Sequence, residues 1–76
     1  MIRAGDVRRW IPKYHQDGGV YEDREHPWFG DIVKVLEVEE NAAGRMCRIR
    51  PVQTPKVNNP HAFEFWTEEE DLEQID

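Results

Sequence analysis

Valine and isoleucine outnumber leucine twelve to two in this chain of 76 residues. Branching at Cβ restricts the side chain in a helix and suits the pleated surface of a sheet. Helical packing would have to draw on Leu36, Leu72 and four alanines, so the chain is expected to be all-β. Eight aromatic residues supply core-forming bulk that disordered chains lack. A chain of this length supports one core, so residues 1–76 are expected to form one domain. Such a domain buries only about 60% of its unfolded surface, which leaves little room for a deep active site.

The patterning gives an order of elements. Residues 5–11 read as a first strand, with Val7 and Ile11 on one face and Arg8 and Trp10 on the other. Pro12 cannot donate to a ladder and should end it. Residues 12–29 are polar, hold Gly18-Gly19 and Pro27, and read as a long ordered loop or a loose hairpin. Residues 30–39 form the best strand, and Asn41-Ala42-Ala43-Gly44 turns it into a partner over residues 45–52. In that partner, Cys47 and Ile49 face one way and Arg48 and Arg50 the other. Residues 53–60, with Pro55, Asn58, Asn59 and Pro60, read as a connection. Residues 61–66 read as a short strand with Phe63 and Phe65 on one face. Thr67 then predicts a helical turn, with Glu70 three residues on completing a capping box. Residues 71–75 read as a last strand or a short helix tail, with Leu72 and Ile75 tucked in.

Charge is distributed unevenly. The formal net charge is -6, yet the first fourteen residues hold four basic side chains against Asp6. The last thirteen hold seven acidic side chains and no basic one. The opening residues meet charge at once, and no apolar run nears the roughly 18 residues of a membrane span. A single cysteine, Cys47, leaves no internal disulfide. A cytoplasmic location without membrane association is expected.

The Gly5-Asp6-Val7 start, the long loop, the strand from Gly30 to Val38, the helical turn and the closing Asp71-Leu72-Glu73 with Ile75 resemble an SH3-like small barrel of the KOW and Tudor kind. Asn58, Asn59, Ala62, Asp71 and Leu72 also resemble, more distantly, the small stromal SH3-like subunit of photosystem I. The resemblance implies a five-stranded SH3-like barrel, with a long loop after the first strand and a short helical turn before the last. It implies a binding groove beside that loop.

Several kinds of chemistry compete for these residues. His15, His26, His61 and Cys47 show no paired spacing of the zinc-site type, and no metal or other cofactor is expected. The chain has no serine, and Cys47 is placed on the inward face away from Arg48 and Arg50, so no enzyme is expected. Arg8, Arg9, Arg45, Arg48 and Arg50 could form a basic face, but the net charge disfavours direct nucleic-acid binding. The long loop is richest in aromatics. Trp10, Tyr14, Tyr21 and Trp28, with Arg8 and Arg9 at the rim, are the expected contact surface for another protein. The competing expectation buries these rings as a small core. The rival function is an acidic decoy, in which Glu64, Glu68, Glu69, Glu70, Asp71, Glu73 and Asp76 imitate phosphates and inhibit a nucleic-acid-binding enzyme. A monomer is expected, or a weak homodimer formed by a free edge strand.

Overall fold

The computed structural model describes residues 1–42, 44–54, 58–59 and 61–75. Ala43, Pro55, Pro60 and Asp76, which entered the sequence expectations, lie outside the described residues. Seven strands are present among the described residues: β1 (Val7–Trp10), β2 (Lys13–Gln16), β3 (Gly19–Glu22), β4 (Ile32–Asn41), β5 (Gly44–Pro51), β6 (Phe65–Glu68) and β7 (Leu72–Glu73). One 3₁₀ turn, Glu69–Asp71, precedes β7. Five strands form one antiparallel sheet in the order β6-β5-β4-β1-β7, while β2 and β3 make a separate hairpin. The all-β expectation and the count of five strands in the main sheet agree with this. The sheet is open, however. Among the described residues β6 pairs with β5 and β7 with β1, so no ladder joins the two edges into a barrel.

The β4–β5 hairpin is the longest element and follows directly from the sequence. Val33 and Val35 point inward opposite Pro51 and Ile49. The register then shifts between Val35 and Glu37, so Leu36 is an extra residue on β4. That bulge turns Val38, rather than Glu37, toward Cys47. The apolar spacing of 33, 35 and 38 thus fits a strand that steps once. Ile2, Trp10, Val33, Val35, Cys47 and Ile49 form the core, and Trp28, Val38, Phe65 and Leu72 pack against it.

Four local expectations are corrected, on β1, at Thr67, at residues 61–63 and at Ile75, which is 41% exposed instead of tucked in, while the hairpin alternative for residues 12–29 is what forms. Val7 is exposed while Trp10 and Ile11 are both buried, so Val7 and Ile11 do not share a buried face and Trp10 points inward. A strand pointed either way obeys the same alternation, and tryptophan has the larger apolar area to hide, about 150–250 Å². The segment at 12–29 contains a true hairpin. Asp17 and Gly18 both have positive φ, 50° and 80°, which is the two-residue turn that matches the twist of antiparallel strands. Finally, Thr67 is not the cap of the turn. It belongs to β6, and Glu68 precedes the 3₁₀ turn without a side-chain cap bond. Residues 61–63 form a turn, so the sixth strand starts at Phe65.

Candidate interaction surface

The six residues expected to make the contact surface separate into two groups. Trp10 is 5% exposed and belongs to the core, so it is removed from the surface. Its indole Nε1–H donates to Thr67 Oγ1 at 3.1 Å, and the Thr67 hydroxyl donates to Asp71 Oδ2 at 2.6 Å. Trp28 is half-buried beside it, with ring centroids 5.7 Å from Phe65 and 5.9 Å from Phe63. The His26 ring meets Trp10 edge-on at 4.6 Å, and His26 Nδ1 accepts the Trp28 backbone N–H. The expectation that loop aromatics act as a small core therefore describes Trp10, and Trp28 in part. A shallow groove of about 190 Å³ remains beside Trp28, lined by His26, Ala62, Phe63, Glu64 and Phe65.

Tyr14 and Tyr21 differ from both tryptophans. They are cross-strand partners in the β2–β3 hairpin, and their rings stack at 5.6 Å with planes 27° apart. They remain 44% and 50% exposed. Gly19 makes this possible, because a Cβ there would stand 2.9–3.0 Å from the Tyr21 ring and hydroxyl. The hairpin is anchored at its base by Asp23 N–H donating to Pro12 O at 2.7 Å. Arg8 is half-buried and paired with Asp6 at 3.2 Å, and Arg9 donates to Gly30 O at 2.9 Å. Neither arginine is therefore a freely mobile rim cation.

Trp66, 41% exposed, was not among the expected contacts. The signal was present: with Phe63 and Phe65 on one face, alternation puts Trp66 on the other.

The acidic residues do not stand as an unpaired outward array. The Glu64 side chain is 8% exposed and accepts from Arg48 Nη1 and His61 Nδ1. The His61 bond holds the Glu64 carboxyl below the usual carboxylate range. Glu69 pairs with Arg45 at 2.7 Å, Glu73 with Lys13 at 3.4 Å, and Glu70 accepts from His15 Nε2 at 2.8 Å. Asp71 is buried and accepts both the Thr67 hydroxyl and the Lys13 backbone N–H. Glu68 is bonded to Glu70, which pushes its own carboxyl up. Asp76 lies outside the described residues. These carboxylates tie elements together, which consumes the charge that a decoy would present.

The residues considered for zinc are dispersed. Cys47 is fully buried, with its thiol pushed up by burial, while His61 is bonded to Glu64. His15 instead meets Glu68 and Glu70, one donor atom from each lying within 4.8 Å of the others, all three residues being exposed. Three exposed donors fall short of the four-ligand shell of a structural zinc site. No helix among the described residues is long and apolar enough to cross a membrane. Comparison with protein-family models, curated proteins and solved structures finds no match to this chain.

Proposed function

We propose that this chain is a non-catalytic interaction module of SH3-like type that holds a segment of a partner protein against the β2–β3 hairpin. The observation that carries the reading is the stacked Tyr14–Tyr21 pair, half-exposed on a hairpin outside the main sheet. Stacked tyrosines are amphipathic and have few torsions to freeze, which suits them to recognition. The core does not need them, because Trp10, Val33, Val35, Cys47 and Ile49 already fill it. The SH3-like assignment draws support from the strand order, from the hairpin after β1 and from the 3₁₀ turn before β7. The Trp28 groove is a second apolar feature for such a partner.

The test is retention from native lysate by immobilised wild type and by the Tyr14→Ala/Tyr21→Ala double variant, eluted in rising salt. Salt screens charge contacts and spares apolar ones. The expected result is a partner that resists high salt on wild type and binds at least about tenfold more weakly to the double variant, with circular dichroism unchanged. Equal retention by both proteins would sink the reading.

A further inference from the structure

One cross-strand pair of the β4–β5 hairpin breaks a rule that its other charge pairs keep. Glu37 stands opposite Arg48 and Glu40 opposite Arg45, and both pairs are bonded, at 3.1 and 2.5 Å. Lys34, by contrast, stands opposite Arg50. Like charges directly opposite one another destabilise a sheet. Both side chains are exposed, and among the described residues neither has an ion pair or a side-chain hydrogen bond. Glu37 is bonded to Arg48, and Glu64, whose carboxyl also feels the Arg50 charge, is bonded to Arg48 and His61.

These two cations border a trough of mixed polar and apolar lining. A groove of about 220 Å³ is lined by Lys34, Leu36, Arg50, Pro51 and Val52. Pro51 and Val52 also line a neighbouring hollow of about 400 Å³ that continues past Ile32 to Gly30. Val7, 43% exposed, completes the Lys34 row from β1. The run from Leu36 to Ile32 spans four residue rises, roughly 13 Å, the length of about four extended residues. Asp31 and the Arg9 guanidinium, bonded to Gly30 O, both lie toward the far end and offset each other, so the net positive charge of the trough sits at the Lys34–Arg50 end.

We propose that this trough receives an extended acidic segment of a partner protein, with a carboxylate between Lys34 and Arg50 and aliphatic side chains against Leu36 and Val52. Arginine can take a carboxylate through two parallel N–H donors. The bound carboxylate would relieve the like-charge contact that the free protein tolerates. A nucleic acid fits less well. Its affinity comes from many phosphate contacts, whereas this face offers two unpaired cations on a chain of net charge -6. The trough uses none of the residues of the tyrosine pair, so the two proposals stand or fall separately.

The test titrates the isotope-labelled full chain with a degenerate pool of eight-residue peptides that alternate glutamate or aspartate with leucine or valine. Parallel arms use a lysine–leucine pool and a twelve-residue oligothymidylate. The acidic pool is expected to shift the backbone amides of Val7, Lys34, Leu36, Arg50 and Val52, and the lysine pool to leave them in place. Lys34→Glu is the decisive variant, because it replaces the like-charge pair with an opposite-charge one. It should raise the melting temperature by about 1–8 °C. It should also weaken peptide binding at least about tenfold. Gain of stability together with loss of binding is an outcome that a purely structural role for Lys34 does not produce. The proposal is overturned if the acidic pool leaves this row unmoved, if Lys34→Glu binds as wild type does, or if the oligothymidylate shifts the row and the acidic pool does not.

Discussion

His15 and Glu70 join the β2–β3 hairpin to the 3₁₀ turn through one bond of 2.8 Å. The bond to Glu70 raises the His15 pKa above its ordinary value of 6.5, with further help from the Glu70, Glu68 and Asp71 charges. The same bond, aided by Glu68 and Lys13, lowers the Glu70 carboxyl below its ordinary 4.5. The signs give a window. A histidine with a raised folded value stabilises fully below about 6.5 and loses that contribution as pH climbs through the folded value. A carboxylate with a lowered folded value contributes above about 4.5 and loses its share as pH falls. Both partners are therefore charged in mildly acidic solution. His15→Gln should melt below wild type at pH 5.5 and together with it at pH 9. Thermal melts at the two values check this, and an equal gap at both would mean that the pair contributes no linked protonation. The sequence could not reveal this contact, since 55 positions separate the partners and the capping box expected at Glu70 does not involve His15.

At the scale of elements, the β4–β5 hairpin was legible because its β-branched alternation is long and its turn residues stand between two apolar runs. The β2–β3 hairpin was harder to see, because each strand has four residues and nearly all are exposed. Alternation leaves little trace when neither face is buried. The usable signal was the Asp17-Gly18 pair itself, since both central residues of such a turn need positive φ. Gly19 is constrained differently, by the Tyr21 ring rather than by its backbone. Gly19→Ala should therefore displace Tyr21 from Tyr14 while leaving the main sheet intact. Nuclear Overhauser contacts between the two rings should disappear, and the β4–β5 amide shifts should stay within their usual spread. Persisting ring contacts would show that the hairpin absorbs a methyl group at no cost.

At the scale of the whole molecule, one buried chain of hydrogen bonds links distant segments. Trp10 on β1 donates to Thr67 on β6, Thr67 donates to Asp71 at the end of the 3₁₀ turn, and Asp71 accepts the backbone N–H of Lys13 on β2. Among the described residues no buried side-chain donor or acceptor is left without a partner. Thr67→Val keeps the volume and strips both bonds, leaving an indole N–H and a carboxylate oxygen buried. Such a loss costs about 1–3 kcal/mol. Cys47 is fully buried and reports the opening of the core. In Thr67→Val, labelling of Cys47 by a disulfide reagent should quicken roughly 5- to 150-fold, if labelling follows the open population. An unchanged rate would show that the Cys47 side of the sheet opens independently of this network.

Composition by itself determined that the chain is all-β, because twelve valines and isoleucines against two leucines suit a pleated surface and little else. Local pattern determined the β4–β5 hairpin and the inward faces of Cys47 and Ile49, since alternation and turn chemistry act over a few residues. Only the tertiary structure decided which way β1 faces. Val7 and Trp10 satisfy period two equally well in either direction, and the direction was set by neighbours from β6 and the 26–28 segment that receive the larger ring. It also decided which charges remain free. Seven acidic residues in the last thirteen look like an open array in one dimension, yet folding brings Arg45, Arg48, His15, His61 and Lys13 to four of them, Glu64, Glu69, Glu70 and Glu73. Lys34 and Arg50, neither of them in an ion pair among the described residues, are sixteen positions apart and become neighbours through the register of one hairpin. Attraction between charges depends on distance in space, and sequence separation does not fix that distance until the strands pair.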